Sequence, residues 1–157
     1  MALRPIKIKA VLLHFESIRN LPELETIAEY LRSKNVKFGL LSDTDKESLQ
    51  AELRKNKSIH SSNFDAIISA DDLDGPQGGQ NAIVQAAQRW KLEPYRILLV
   101  SARSKDIRLG AEIGAITVFW GTREDKRRHN LSCDYAASTP ETLKGIIRLG
   151  VPLPTGK

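Results

Sequence analysis

The sequence has a single cysteine, Cys133, so it can hold neither a disulfide framework nor a CxxC zinc or redox pair. Its three histidines, His14, His60 and His129, are far apart and match no zinc-site spacing. Aromatic residues make up only 6% of the chain, too few to interleave with cations as a base-stacking surface requires. Nowhere do about eighteen apolar residues run together, which excludes a hydrophobic membrane span. Charges interrupt the apolar residues of the first nine positions, unlike a secretion signal, and the cytoplasm is the expected compartment.

What is present is ordinary for a folded domain. The 157 residues are 41% hydrophobic and 27% charged. A chain of this length buries roughly 68–70% of its unfolded surface, enough for a core without disulfides or a structural metal. The balance of 24 Lys+Arg against 19 Asp+Glu gives a net charge of +5. The cations are scattered, however, and the densest run, residues 123–129, also contains Glu124 and Asp125 and reads as a solvated loop. Nucleic acid is therefore not an expected partner.

Two patterns alternate along the chain. Short apolar runs at 9–15, 36–41, 64–68, 96–100, 115–120 and 134–137 are too continuous for half-exposed strands, and they predict strands buried on both faces. Between them lie helical stretches. Leu24, Ile27, Ala28 and Leu31 recur three and four apart, as do Ile83, Ala86, Ala87 and Trp90. Further helices are expected at 43–54, 104–114 and 140–149, the second with Ser104 as N-cap and Gly114 as its stop. Asn20 and Pro22 suit the start of the first helix. Strand and helix in strict turn predict a three-layer α/β/α, Rossmann-like domain over 1–149 with a mainly parallel central sheet. Residues 150–157 read as a Pro- and Gly-containing tail or linker.

Ligand-facing residues of such a sheet lie at the carboxyl ends of its strands. Those ends read His14-Phe15-Glu16-Ser17, Ser42-Asp43-Thr44-Asp45, Asp71-Asp72-Leu73-Asp74-Gly75-Pro76 and Ser101-Ala102-Arg103-Ser104-Lys105-Asp106. Several obvious chemistries are absent. Residues 75–80 form a glycine-rich stretch with neither the GK[ST] ending nor the GxGxxG spacing of a phosphate loop. Ser42 and Ser101 have no His and Asp partners at a recognisable spacing, and as hydroxyls they read as caps. Cys133, Trp90 and Trp120 sit on strand or periodic positions and read as core. Asp43, Asp45, Asp71, Asp72, Asp74 and Asp106 share one sheet edge and could gather round a cation, although such residues more often cap helices and turns.

The order and spacing of these strand ends resemble the haloacid dehalogenase superfamily, in particular its small phosphoglycolate-phosphatase-like members. The most specific part runs from Phe64-Asp65-Ala66-Ile67-Ile68 through Gly75-Pro76, Ile97-Leu98-Leu99-Val100, Asp106-Ile107 and Ala111-Glu112-Ile113-Gly114-Ala115 to Thr117-Val118-Phe119-Trp120-Gly121. With few residues between the first strand and the first helix, the chain looks like a capless member. The resemblance implies a first-strand aspartate that attacks phosphorus and a second acid two residues on. It also implies a hydroxyl after the second strand, a phosphate-binding lysine, and an acidic pair that anchors magnesium after the fourth strand. At those positions this sequence has His14, Glu16, Ser42, Gly75 and Ala102, with Asp106 left from the acidic pair. Nucleophile, lysine and principal metal carboxylate are all substituted. The chemistry needs each of them, because a carboxylate can approach a polyanion only if a metal and a cation neutralise it.

The expectation is thus a degenerate domain without ordinary phosphatase activity, kept as a binding or interaction module for a protein partner or a tethered neighbouring domain. No cofactor is expected. Weak phosphate or anion binding would fall to Ser42, Ser17 and the helix beginning near Ser104. The rival is a magnesium-dependent phosphatase with a rearranged site built on Glu16 and Asp106; a third reading is a non-catalytic sensor of phosphorylated metabolites.

Overall fold

The computed structural model describes residues 8–18, 24–55, 64–72, 78–128 and 132–149. The expected alternation is present: β1 (Ala10–His14), α1 (Phe15–Ile18), α2 (Leu24–Ser33), β2 (Lys37–Leu41), α3 (Lys46–Lys55), β3 (Ala66–Ile68), α4 (Gly78–Trp90), β4 (Ile97–Ser101), α5 (Ser104–Ile113), β5 (Ile116–Trp120), α6 (Arg123–Arg128), β6 (Tyr135–Ala137) and α7 (Pro140–Leu149). The six strands form one parallel sheet in the order β3-β2-β1-β4-β5-β6. β2 and β3 lie on one side of β1 and β4, β5 and β6 on the other, so the order reverses there. The carboxyl ends of β1 and β4 flank the crevice where α/β sheets of this topology bind ligands.

The apolar runs are continuous because the inner strands are covered twice. Every residue of β1 and of β4 is buried. Side chains alternate between two faces. Val11, Leu13, Leu98 and Val100 pack with Ile27 and Leu31 of α2 and Leu143 and Ile147 of α7. Ala10, Leu12, Ile97 and Leu99 point the other way, toward Ala82, Ile83 and Ala86 of α4. Each fully buried Leu or Ile contributes about 1.5–3 kcal/mol relative to exposure, so these two layers carry the fold.

Two glycines set the position of α5. A Cβ at Gly110 would lie 2.8 Å from Leu99 Cδ2 and 3.2 Å from Thr117 Cγ2, so α5 lies closer to β4 and β5 than a larger residue would permit. Asp106 and Ile107, a turn earlier on the same inward face, are buried as a result. Gly114 ends the helix in the left-handed region with φ 92°, which a side chain would strain.

The two outer strands are entered in the same way. Asp65, just before β3, accepts the N–H of Phe38 (2.8 Å) and returns its own N–H to Phe38 O (2.7 Å). Asp134, just before β6, accepts the N–H of Thr117 (2.9 Å) and the Thr117 hydroxyl (3.2 Å).

Several local expectations need correction. Phe15 does not extend β1 but opens α1, its ring buried either way. Residues 123–128 are helical rather than a loop, with the Asp125 carboxylate paired to the Thr122 N–H and hydroxyl at the helix start. Ser104 is the first helical residue of α5; the N-cap is Arg103, which makes no side-chain cap bond. Ser101 Oγ, outside the helix, accepts the N–H of this N-cap residue at 3.0 Å. Cys133 is only partly buried, packed against Ile107 and Phe119. Asn20, Pro22 and residues 150–157 lie outside the described residues.

Candidate functional site at the carboxyl ends of β1, β2 and β4

His14 ends β1 and is 1% exposed. Its Nε2 lies 3.0 Å from Asp43 Oδ2 and 3.2 Å from Glu16 Oε1, and its Nδ1 is 2.7 Å from Ser17 Oγ. Facing two carboxylate oxygens, Nε2 carries a hydrogen in either charge state of the ring. Ser17 Oγ also accepts the Ala102 N–H at 2.9 Å, which leaves the serine hydrogen free to reach Nδ1. The short α1 produces this arrangement. One helical turn after His14 brings Ser17 back beside the imidazole, where an extended chain would carry it away.

Glu16 is held from three sides. The Ser42 hydroxyl donates to Oε2 at 2.6 Å, the Asp43 N–H to Oε1 at 3.2 Å, and His14 Nε2 approaches the same Oε1. Burial works against the charge, but the hydrogen bonds from His14, Ser42 and the Asp43 backbone outweigh it and bring the pKa down to about 2. Ser42, itself fully buried, spends its hydroxyl hydrogen on Glu16 and accepts from Thr44.

On the β4 side Arg103 is the organising group. Its Nε and Nη2 bind the two oxygens of Asp106 at 2.8 Å each, and Nη1 binds Asp43 Oδ2. Asp106 is wholly buried and also accepts the Ser101 hydroxyl at 2.7 Å. Burial disfavours the guanidinium charge, yet Asp106 and Asp43 raise the pKa of Arg103 above its ordinary value, so it is cationic throughout. A planar fork that meets one carboxylate with two N–H groups and still reaches a second is geometry a lysine cannot reproduce.

The sequence-selected residues are therefore only partly gathered. His14, Glu16, Ser17, Ser42 and Asp43 form one hydrogen-bonded cluster, and Asp106 joins it through Arg103. Ala102 contributes a backbone N–H and no carboxylate. Asp45 instead caps α3, receiving the Ser48 N–H at 2.7 Å. Asp72 accepts the N–H and hydroxyl of Ser69. Ser104 opens α5 and is not a member of this hydrogen-bonded cluster. Gly75 and Asp74, with His60 and His129, fall outside the described residues, as does the side chain of Asp71. Sequence reasoning missed Arg103; the available signal was an arginine three residues before an aspartate at a helix start.

The family chemistry makes magnesium the ion to test against this donor set. Magnesium asks for a near-octahedral cage of oxygens at about 2.0–2.1 Å. His14, Glu16 and Asp43 can each offer one atom, all within 4.8 Å of one another. One of the three is an imidazole whose nitrogen bears a hydrogen, and Asp43 Oδ2 already serves His14 and Arg103. Both oxygens of Asp106 are engaged by the guanidinium. The donor set does not fit that ion. A separate cavity of about 100 Å³, lined by Arg32, Lys37, Phe38 and Asp65, opens at the opposite edge of the sheet and is well below the size of an ordinary ligand pocket.

Comparison with known proteins agrees with this architecture. The model of the haloacid dehalogenase-like hydrolases matches residues 5–120. No curated protein matches the sequence. Among solved structures, a haloacid dehalogenase-like hydrolase from Bacteroides fragilis, so named provisionally, superposes at a TM-score of 0.67 with 19% identity, over 78% of this chain and 59% of its own. An L-2-haloacid dehalogenase gives 0.66 with 19% identity over 82% and 56%. A phosphoglycolate phosphatase from Haemophilus somnus, named by prediction, gives 0.64 with 14% identity over 82% and 56%. The chain spans a little more than half the length of these structures, and at such identities the likeness is one of fold. On the family match, which covers most of its length, the chain belongs to the haloacid dehalogenase-like hydrolases.

Proposed function

We propose that this chain is a capless haloacid dehalogenase-type domain that does not transfer phosphoryl groups and serves as a binding or interaction module. The observation that carries the reading is the state of His14 at the nucleophile position. Its Nε2 is turned onto Asp43 and Glu16 and its Nδ1 onto Ser17, and it is 1% exposed, so no lone pair faces an incoming phosphorus.

The rest of the cluster supports the same reading. A general acid works best with a pKa near the operating pH, whereas Glu16, at about 2, is a permanent carboxylate. Among the described residues of the cluster, three carboxylates, Glu16, Asp43 and Asp106, outnumber the one guanidinium, which touches Asp43 and Asp106 but not Glu16. A phosphate dianion entering here meets net repulsion, roughly 3 kcal/mol per pair of like unit charges at 5 Å and an effective dielectric of 20. Losing a nucleophile alone costs other enzymes about a millionfold, or about 8 kcal/mol of barrier. A fold can outlive its chemistry, because scaffold and site are separable.

The test is hydrolysis of an aryl phosphate with magnesium, comparing the chain with its Glu16→Ala variant, beside a thermal-shift panel of phosphorylated metabolites. Both assays are expected to stay flat, with affinity capture returning a protein partner. Turnover above about 0.1 s⁻¹, toward the low end of ordinary enzymes, that vanishes in the variant would establish the magnesium-dependent phosphatase instead. A metabolite that raises the melting point, with the effect abolished by Ser42→Ala, would establish the sensor.

A further inference from the structure

We infer that Arg103 is a built-in cation that replaces a divalent ion in holding this edge of the sheet together. The inference goes beyond the loss of phosphoryl transfer, since a domain can be idle as a phosphatase and still depend on an ion for its shape.

Three loops leave the sheet side by side, after β1, β2 and β4, and each brings a carboxylate to the edge: Glu16, Asp43 and Asp106. Like charges so close must be bridged by a cation or lose charge by protonation. Glu16 is held as an acceptor, by the Ser42 hydroxyl at 2.6 Å, the Asp43 N–H at 3.2 Å and His14 Nε2 at 3.2 Å. Arg103 provides the bridge. It binds Asp106 through two parallel 2.8 Å bonds and reaches across to Asp43, so one residue of the β4 loop ties its own helix to the β2 loop. Asp43 then passes the link to β1 through His14 Nε2 at 3.0 Å, and Ser17 closes the circuit by accepting the Ala102 N–H at 2.9 Å. All three loops are thereby joined through a guanidinium and an imidazole.

The position is built for the purpose rather than a surface ion pair. Asp106 is wholly buried on the inward face of α5, under the contact fixed by Gly110, and the Ser101 hydroxyl holds one of its oxygens at 2.7 Å. The fork is oriented by its own backbone, whose N–H is anchored on Ser101 Oγ. A divalent ion would have to compete with this arginine for both oxygens of Asp106 and for Asp43 Oδ2.

The experiment is a thermal melt of the chain and of Arg103→Ala, each in chelator and then titrated with magnesium, manganese and zinc. The native chain is expected to shift by less than about 1 °C with any of the three. Arg103→Ala, which strands a buried carboxylate, is expected to melt about 6 °C or more lower and to recover at least half of that loss in a saturable, ion-dependent way. Arg103→Lys should fall between them, because one ammonium cannot make the forked contact. If Arg103→Ala does not fold, the native titration and Asp43→Ala, which keeps the Asp106 pair but cuts the bridge and should melt measurably lower, decide the question. A saturable rise of about 3 °C or more in the native chain, a variant as stable as the native chain, or a destabilised variant that no ion restores would each overturn the inference. None of these outcomes depends on phosphatase activity, so the failure of one reading can be told from the failure of the other.

Discussion

At the amino edge of the sheet, Asp65 and Asp134 each stand one residue before an outer strand and receive the backbone N–H of the neighbouring strand, from Phe38 and Thr117. At the carboxyl edge, Asp43 and Asp106 receive side chains instead: His14, Arg103 and Ser101. The first pair replaces a ladder hydrogen bond at the point where the outer strand begins, and each acts alone within one strand pair. The second pair belongs to a network spanning three loops, in which the removal of any member leaves a charge or a donor without its partner. The amino edge uses aspartate for backbone pairing within one strand pair, while the carboxyl edge uses it in a charge network that ties three loops together.

Asp106→Ala should have the largest effect of any single substitution at either edge. It removes a fully buried carboxylate and leaves Arg103, held there by two bonds, with only Asp43. Removing one member of a buried pair costs about 3–5 kcal/mol, so the melting point should fall by about 10 °C. Asp106→Asn, which retains an acceptor for one arm of the fork, should recover part of the loss. Were Asp106→Ala to cost no more than an amino-edge substitution, the two edges would be energetically alike and the contrast would fail.

Such a network was only half legible in the sequence. The strands were readable because double burial forces apolar continuity, and α2 and α4 because burial on one side forces a stripe. Gly114 announced the end of α5 because few other residues tolerate φ 92°. His14, Glu16 and Ser42 were found as strand-end residues on the strength of topology alone. Arg103 was not, since its importance depends on Asp43, 60 positions away in sequence and adjacent only once β2 and β4 flank β1. The cap of α5 was misplaced for a related reason. Local pattern points to Ser104, whereas the N-cap is Arg103, whose N–H is bonded by Ser101 at the end of the preceding strand. Long-range charge pairing has no periodicity to read.

The next effect in size is a pH dependence at the carboxyl edge. Glu16 moves from 4.5 to about 2 on folding. A lowered carboxylate pKa gives stability that is fully present above the unfolded value and is lost as pH falls through the folded one. The contribution is about 2 kcal/mol, after allowing for solvent screening at its open side. Urea denaturation of the native chain and of Glu16→Gln should therefore differ most at pH 6–7, with the gap narrowing between about pH 4.5 and 2. A gap that stays constant across that interval would mean that the hydrogen bonds to Glu16 do not depend on its charge.

The smallest expected effects lie at the amino edge, and they distinguish its two members. Asp65→Ala takes an acceptor from one buried N–H, that of Phe38, whereas Asp134→Ala takes it from both the N–H and the hydroxyl of Thr117. Each aspartate is itself exposed, so water can reach the vacated position and soften the loss to about 1 kcal/mol, somewhat more for Asp134. Amide hydrogen exchange resolves what a melting curve would blur. Asp65→Ala should speed exchange at Phe38 and leave Thr117 protected, and Asp134→Ala should do the reverse, because each lock acts within a single strand pair. Exchange that spread to the carboxyl edge in either variant would mean the two ends of the sheet are energetically coupled, and aspartate would then have one role in this molecule rather than two.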